Sequence, residues 1–405
     1  MRILMISWEY PPKIVGGLGR HVEGLSEALV RKGHRVSVVT ADIPKVREQE
    51  IVAGVEVWRA LPHRPPARDF IESVMQLNFN MVERVIALFD LETQFDVVHV
   101  HDWLGAYAGK LLKHAFRLPL IATIHATEYG RNNGLHNDMQ RHISDLEWWL
   151  CYEAWKVIVC SRYMESEVQH IFGLPKDKLK VIPNGIDPKK LQASEEADFT
   201  GLRKLYARPD EKIVLFVGRL VREKGVWLII DSFKELLNIV PEAKLIVVGK
   251  GPEEMYLRDY ARRLGLEHKI YFTGFIADEI RNQLYKMCQV AVFPSLYEPF
   301  GIVALEAMAL GKPVIVSDTG GLGEVVEHGY TGLKFPSGDK KALSRALADV
   351  LLDYDLAQRL SRAGQEEVEL YSWDKIAQET EYVYKEVIRS AQAGGWSRRR
   401  DLGGR

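Results

Sequence analysis

Two carboxylates and two cations stand directly after apolar runs of the kind that form buried strands. Glu298 follows the apolar run 290–294, and Glu306 lies eight residues further on, in an apolar helical pattern. Arg219 and Lys224, five residues apart, follow an earlier run of the same type. Parallel α/β sheets bind ligands beyond the carboxyl ends of their strands. These four side chains are therefore candidates for one site.

The types of these residues suit a diphosphate and a ribose. A diphosphate that leaves a sugar gains negative charge, which Arg219 and Lys224 could stabilise without a metal ion. A carboxylate such as Glu306 needs a partner among apolar residues, and ribose hydroxyls could provide one. The first free amides of its helix suit phosphate or sugar hydroxyls and belong to Phe300, Gly301, Ile302 and Val303. A solvated loop for the cations and a capping or salt-bridged Glu306 are the structural alternatives.

Glycine-rich turns follow other strand patterns. Gly16-Gly17-Leu18-Gly19 leads from the first strand into a helix, Gly249 follows the run 244–248, and Gly320-Gly321 opens another helix. Glycine lets a backbone approach a ligand closely, and a helix N-terminus attracts anions. A tight turn explains each loop about as well. The spacing is not GxGxxG, so binding of NAD is not supported.

Histidine and cysteine patterns give no sign of a metal centre in the sequence. His99 and His101 alternate on a predicted strand and so share a face, but no fourth ligand is evident. No DxD motif follows a predicted strand and no His/Cys cluster has metal spacing, so we expect no metal and no required cofactor. Three cysteines without close pairing predict buried thiols rather than disulfides.

The elements that must position these residues form two series of alternating strands and helices. With 405 residues, the chain exceeds the size at which one core stops growing. Strand patterns cover residues 2–7, 35–40, 55–59, 96–101, 120–125, 157–161 and 180–183, then 213–217, 244–248, 269–272, 290–294 and 313–317. Helical patterns cover residues 21–31, 103–116, 146–155, 227–237, 253–264, 278–287, 303–309 and 374–390. The alternation predicts an α/β fold with two doubly wound domains, 1–188 and 189–373, facing each other across a cleft.

Composition and charge exclude several classes of protein. Apolar residues make up 47% and charged residues 27%, which excludes a disordered chain. The net charge of −1 gives no general attraction to nucleic acid or acidic lipid. No apolar run approaches the roughly 20 residues of a membrane span. We expect a cytoplasmic enzyme without integral membrane association, of open oligomeric state, with a disordered tail at 393–405.

Four of these motifs together resemble a known family. The chain is similar over about residues 1–390 to the retaining glycosyltransferases of family four, which have the two-domain GT-B fold and include relatives of glycogen, sucrose and trehalose synthases. The Glu-x7-Glu segment 298–306 is the specific motif. The others are the first glycine loop, Gly218-Arg219 with Lys224-Gly225, and Ile182-Pro-Asn-Gly-Ile-Asp187.

The resemblance implies a role for each candidate residue. It places Glu298 by the donor sugar, Glu306 on the ribose, Arg219 and Lys224 on the diphosphate, and Gly16 and Gly17 near the phosphates. His125, after a strand of the first domain, would face the donor sugar, although a satisfied buried histidine is the alternative. The family's last helix crosses back to the first domain, which fits residues 374–392. The anomeric configuration would be kept, and the leaving phosphate oxygen would take the acceptor's proton.

The substrates are less defined by these motifs. Residues 13–18 and His101-Asp102-Trp103 resemble glycogen and starch synthases, but Phe300 and Val303 stand where those enzymes carry Cys and Thr. We expect transfer of glucose from ADP- or UDP-glucose to a glucan or other saccharide. The alternatives are mannosyl or other hexosyl transfer to a lipid or cell-wall acceptor, a nucleotide-sugar epimerase, and a non-catalytic sugar-binding protein. Trp148 and Trp149 are either acceptor contacts or core.

Overall fold

The chain folds into two compact α/β units. A computed structural model describes residues 1–61, 67–90, 94–191 and 199–396. The first unit comprises residues 1–185 together with the chain from Trp373 onward, and the second comprises residues 186–372. Each unit contains one sheet in which parallel pairing dominates. The predicted tail beyond residue 396 lies outside the described residues.

The sheet of the first unit has eight strands in the order β3-β4-β2-β1-β5-β6-β7-β8. The strands are β1 (Arg2–Ile6), β2 (Arg35–Ala41), β3 (Gln49–Val52), β4 (Val55–Ala60), β5 (Val97–His101), β6 (Leu120–Ile124), β7 (Lys156–Val159) and β8 (Leu179–Val181). The helices are α1 (Gly17–Arg31), α2 (Phe70–Asp90), α3 (Ala106–Phe116), α4 (Glu128–Asn132), α5 (Asp138–Glu153) and α6 (Arg162–Phe172), joined by the C-terminal helix described below.

The sheet of the second unit has six strands in the order β11-β10-β9-β12-β13-β14, all parallel. The strands are β9 (Lys212–Val217), β10 (Ala243–Val248), β11 (Ile270–Gly274), β12 (Val290–Phe293), β13 (Val314–Ser317) and β14 (Leu333–Phe335). The helices are α7 (Pro188–Leu191), α8 (Phe199–Tyr206), α9 (Val226–Leu236), α10 (Glu254–Arg263), α11 (Asp278–Met287), α12 (Ile302–Ala309), α13 (Leu322–Val325), α14 (Lys340–Leu352) and α15 (Tyr354–Val368), and α16 (Trp373–Ala393) then returns to the first unit. The strand order reverses between β9 and β12.

Continuous apolar runs explain why these strands are buried on both faces. In β9 every residue from Ile213 to Val217 is buried, where a strand with one solvated face would alternate. Phe216 packs in one core with Val226 and Phe233 of α9. Every strand predicted from the sequence corresponds to an observed strand with ends within two residues.

Several elements, including α4 and α6, were not predicted, and polar sequence explains two of the differences. The exposed edge strand β3 pairs antiparallel with β4 through a two-residue turn in which Ala53 and Gly54 have φ of 48° and 82°, the twist that suits a hairpin. Helix α5 begins at Asp138, eight residues before the predicted start, because its first two turns are mostly polar, with Met139 and Ile143 as their only apolar residues. The long helix α2 and the short strand β14 were also missed.

Helix α16 belongs to the first unit and packs against α1. Its first residue, Trp373, lies so close to two glycines that a Cβ on Gly24 would be 2.1 Å, and one on Gly185 2.4 Å, from the indole ring. Residues 189–212 were predicted to be a connection. Their described part includes most of α7 and all of α8. No helix among the described residues is long and apolar enough to cross a membrane.

Candidate active site

Lys224 and Glu298 form an ion pair at the point where the strand order of the second sheet reverses. Lys224 ends a 3₁₀ turn that follows β9, and Glu298 lies in the loop after β12, the neighbouring strand. Lys224 Nζ lies 2.5 Å from Glu298 Oε2, and the two side chains are 18% and 11% exposed. Ser295 Oγ donates to the same carboxylate oxygen at 3.4 Å. Two of the four residues predicted for the donor site are therefore in contact.

Backbone contacts hold the two loops together beneath this pair. The amide of Leu296 donates to the carbonyl oxygen of Glu223 at 2.7 Å. Gly225 has a φ of +64°, and a Cβ at this position would lie 2.2 Å from the backbone oxygen of Pro294. The amide of Gly321 donates to the carbonyl oxygen of Glu298 at 2.8 Å. Lys224 and Glu298 are thus held by rigid backbone, and only glycine fits at position 225.

Arg219, the second predicted cation, follows β9 directly but makes a different contact. Its guanidinium lies 3.6 Å from Glu223, and the side chain is 43% exposed. The loop after β10 packs on its neighbour, because a Cβ on Gly249 would lie 1.9 Å from the carbonyl oxygen of Gly218. The glycine at position 249, predicted to let the backbone approach a ligand, therefore allows close contact with the backbone of Gly218 within the protein.

Helix α12 begins beside Glu298 with Gly301 as its N-cap, at a φ of +105°. Because glycine has no side chain, the N-cap cannot accept from the first amides, which include those of Ile302 and Val303. Phe300 is buried, and its ring centroid lies 5.9 Å from that of Tyr371.

Glu306 has a cationic partner within the second unit. It lies buried on α12, with its Oε1 3.7 Å from Nη1 of Arg281, which in turn lies 2.9 Å from Asp278. Burial, and after it the Glu306 charge, raises the pKa of the nearby Tyr285 hydroxyl. The salt-bridged glutamate left open by the sequence is therefore present.

In the first unit, a buried carboxylate binds the predicted glycine loop. Glu9 Oε2 accepts from the amides of Val15 at 2.8 Å and Gly16 at 3.1 Å. Burial raises the pKa of Glu9, although these amides act in the opposite direction. Helix α1 begins at Gly17, four residues before the predicted start. Glu9 was not predicted as a site residue, although a carboxylate close after the first strand pattern was the signal that could have indicated it.

His125 follows β6 and is fixed through its backbone. Its amide donates to Asp102 Oδ1 at 2.7 Å, and its Nε2 lies 3.3 Å from Nδ1 of His101. Burial, with a smaller effect of the Arg131 charge, lowers the pKa of His125 to about 3. Burial raises the pKa of Asp102 to about 6. The His125 imidazole is therefore neutral.

Of the histidines near His125, His99 has a structural role, whereas His21 and His101 form a cluster with His125. His99 contacts the Tyr384 hydroxyl and Thr123 Oγ1, both at 2.7 Å. His21 of α1, which was not predicted as a site residue, lies beside His101 and His125. One ring nitrogen of each of the three residues lies within 4.8 Å of those of the other two. Spacing along the sequence does not reveal this cluster, because the fold brings together histidines from three separate elements.

Two smaller predictions can be compared with the structure. Trp148 is exposed and stacks on Tyr152, whereas Trp149 is partly buried against Tyr107. The predicted thiols are confirmed, since Cys151, Cys160 and Cys288 are all free and buried.

Comparison with known proteins assigns both halves of the chain. Residues 15–190 match the profile described as Glycosyltransferase Family 4, and residues 200–367 match that of Glycosyl transferases group 1. The chain is 41% identical over 390 residues to an uncharacterised glycosyltransferase from Methanocaldococcus jannaschii, covering 95% of this chain and 98% of that protein. The chain belongs to the family 4 glycosyltransferases.

Two further similarities extend over nearly the whole glycosyltransferase. It is 36% identical over 399 residues to glycogen synthase from Mycobacterium tuberculosis, covering 95% of this chain and 94% of that enzyme. The structure of sucrose-phosphate synthase from Thermosynechococcus elongatus matches with a TM-score of 0.82 and 28% identity, covering 96% of this chain and 99% of that one. The predicted class of enzyme and the predicted two-domain GT-B fold are therefore confirmed.

Proposed function

We propose that this glycosyltransferase moves glucose from a nucleotide diphosphate sugar, ADP- or UDP-glucose, to a glucan or other saccharide and retains the anomeric configuration. The observation that carries the donor half of this proposal is the Lys224–Glu298 ion pair at the strand-order reversal of the second sheet. Ligands of doubly wound sheets bind at this position. The first amides of α12 add a second group of donors suited to an anion.

The cations and the carboxylates of the second unit bind different parts of the donor. Lys224 and the exposed Arg219 bind the diphosphate and stabilise the charge that develops as the sugar leaves. Glu298 accepts hydrogen bonds from the sugar. Its neighbour Glu306 lies 3.7 Å from Arg281, an ion-pair distance longer than a hydrogen bond. A carboxylate has about four acceptor sites, so Glu306 retains sites for ribose hydroxyls.

The residues of the first unit complete the proposed reaction. Gly16 and Gly17 at the start of α1 approach the phosphates, and the neutral His125 imidazole hydrogen-bonds the donor sugar. The bond between the anomeric carbon and the phosphate oxygen breaks, and a bond forms from the acceptor oxygen to the same face of that carbon. The acceptor's proton passes to the leaving phosphate oxygen, so no protein base is required.

The choice of glucose rests on the relatives. Glycogen synthase, which is 36% identical to this chain, is named for a glucan product, and sucrose-phosphate synthase for a glucose-containing one. These names support an acceptor among glucans and small sugars.

A panel of nucleotide sugars and acceptors tests the reaction. ADP-glucose, UDP-glucose and GDP-mannose are each combined with a malto-oligosaccharide, maltose, fructose 6-phosphate or a lipid extract. We expect transfer from a glucose donor to a saccharide, and an α-anomeric product in the NMR spectrum. Transfer from GDP-mannose to lipid alone would contradict the substrate assignment, an inverted product would contradict retention, and conversion of a nucleotide sugar without acceptor would indicate an epimerase.

Glu298→Gln tests the site itself. The substitution keeps the size of the side chain and removes the charge that pairs with Lys224. We expect kcat to fall about 100- to 1,000-fold, the range for one preorganised polar group of an active site. The exposed Glu267→Gln of the same unit is the matched control and should retain full activity. An unchanged kcat in Glu298→Gln would show that the site assignment is wrong.

A further inference from the structure

We propose that His21, His101 and His125 form a binding site for a divalent transition-metal ion, with Zn²⁺ the best match. The three side chains come from α1, the end of β5 and the loop after β6, all within the first unit. One ring nitrogen of each lies within 4.8 Å of the other two. Imidazole is a preferred ligand of zinc, copper and nickel.

The distance between two of the rings matches that between ligands of one ion. His101 Nδ1 lies 3.3 Å from His125 Nε2. Two nitrogens bound at about 2.0–2.1 Å to a tetrahedral zinc ion lie roughly 3.3–3.4 Å from each other. The same distance is that of a weak hydrogen bond between the two rings, which a bound ion would replace. An ion therefore fits between these two nitrogens with little change in the rings.

The third ring has a buried nitrogen ready to bind. His21 Nδ1 lies 2.7 Å from the side-chain oxygen of Asn184, and because that oxygen only accepts, the ring proton lies on Nδ1. The lone pair is then on Nε2, which is buried and has no hydrogen-bond partner among the described residues. A histidine whose second nitrogen donates to a protein oxygen has the usual arrangement of a metal ligand.

Charge and access both permit an ion at this position. Imidazole binds a metal ion in its neutral form, and the contact of His21 Nδ1 with Asn184 leaves the unprotonated Nε2 of that form available. Two opposite charges act nearby, the Asp102 carboxylate that accepts from the His125 amide and the Arg131 guanidinium. His21 and His101 are buried, whereas His125 is partly exposed and provides a route from solvent.

An ion bound here would have three nitrogen ligands and an open fourth position, as catalytic zinc sites do. His125 is also the residue proposed to hydrogen-bond the donor sugar. A bound ion would occupy its Nε2, so metal should inhibit glycosyl transfer reversibly. This consequence rests on the proposed function, whereas metal binding itself does not.

Titration of the full-length protein with Co²⁺ tests the site without reference to activity. We expect one equivalent to bind, with the visible absorption of a four-coordinate cobalt ion, and to be displaced by Zn²⁺. His21→Gln and His125→Gln should each weaken binding by at least about 100-fold, the upper end for loss of an outer-shell group. His170→Gln, at an exposed histidine of α6, is the matched control and should bind like the wild type.

Circular dichroism establishes whether each variant folds. If the buried His21→Gln variant does not, the partly exposed His125→Gln decides. Absence of one-equivalent binding, or equal binding in the wild type and a folded variant, would overturn the proposal.

A second measurement separates this proposal from the proposed function. Transfer rates are compared with and without one equivalent of Zn²⁺, and after removal of the ion with EDTA. Inhibition that EDTA reverses, in the wild type and in His170→Gln, supports both proposals. Stoichiometric binding without inhibition would leave the metal site in place and contradict the role proposed for His125.

Discussion

Lys224 and Glu298 join two loops whose residues lie 74 positions apart in the sequence. Both side chains are largely buried, so each charge depends on the other for its solvation. A donor diphosphate would compete with Glu298 for Lys224 and would release the carboxylate toward the sugar. The pair is therefore a preorganised arrangement of charge.

The double substitution Arg219→Ala with Lys224→Ala tests this charge arrangement. We expect kcat to fall by at least about 100-fold, because the two groups proposed to stabilise the departing diphosphate are lost. Arg222→Ala, in the same turn but exposed, serves as the control and should have a near-normal rate. Steady-state kinetics decide, and a normal rate in the double variant would contradict the diphosphate role.

Glu147 is expected to make the stability of the protein depend on pH, an effect that the sequence does not indicate. It is buried on α5 and accepts from the amide of Glu128 at 2.9 Å, and burial raises its pKa well above the model-compound value of 4.5. A raised carboxyl pKa means that the folded protein holds the proton more tightly than the unfolded chain. Its contribution to stability is therefore present below pH 4.5 and is lost as the pH rises through the folded pKa.

Glu147→Gln should remove this loss of stability. The amide oxygen can still accept from the Glu128 backbone, and no proton is released at any pH. We expect the free energy of unfolding of the variant, relative to the wild type, to increase with pH by up to about 1.4 kcal/mol per unit within the titration range. Urea unfolding between pH 5 and 8 measures it, with the exposed Glu379→Gln as control. A constant difference across this range would show that Glu147 keeps an ordinary pKa.

At the scale of elements, the ends of parallel strands determine where the candidate residues meet. Strands β9 and β12 are adjacent although two strands and three helices separate them along the chain. Their loops are joined by backbone hydrogen bonds and by the close approach of Gly225 to Pro294. The site therefore depends on backbone packing as much as on charge.

Gly225→Ala tests this packing against a glycine of similar conformation. A Cβ at position 225 would lie 2.2 Å from a backbone oxygen, whereas at Gly265, with a φ of +71°, it would meet nothing within 4 Å. Gly265→Ala should lower the free energy of unfolding by about 1–2 kcal/mol, the cost of placing a residue with a Cβ in the left-handed conformation. We expect Gly225→Ala to lose at least twice as much stability in urea unfolding, and to lower kcat by displacing Lys224. Equal losses in the two variants would show that the contact with Pro294 does not constrain the loop.

At the scale of the whole molecule, the first unit is discontinuous in sequence. Its core combines Ile3 and Met5 of β1, Val22 of α1 and Tyr384 of α16. The chain leaves this unit after residue 185 and returns at Trp373. The first unit therefore becomes complete only when the C-terminal helix has docked.

Truncation after Ser372 should expose this difference between the units. Loss of α16 uncovers apolar residues of α1 and removes the Tyr384 contact of His99, whereas the second unit keeps all of its elements. We expect limited proteolysis, followed by mass spectrometry, to cut residues 1–185 rapidly and to leave a resistant fragment within 186–372. Truncation after Trp396 is the control and should resist like the full chain. Equal resistance of the two truncated proteins would show that α16 is not part of the first core.

The sequence alone determined most of the strands, the two-part α/β architecture and the family, because these follow from local patterns. Apolar runs predict buried strands. Glu298 and Glu306, whose spacing indicates the family, lie on one loop and the helix that follows it. A helix start with mostly polar first turns, as in α5, was missed because only a few apolar residues mark it.

Only the tertiary structure decided which side chains meet. His21 contacts Asn184 across 163 positions, and Glu9 binds the amides of the glycine loop, through the geometry of the folded backbone. The pKa values of Glu147 and His125 likewise depend on burial, which residue type does not set. The histidine cluster also depends on the fold, since helix α1, the end of β5 and the loop after β6 become neighbours only when the sheet forms.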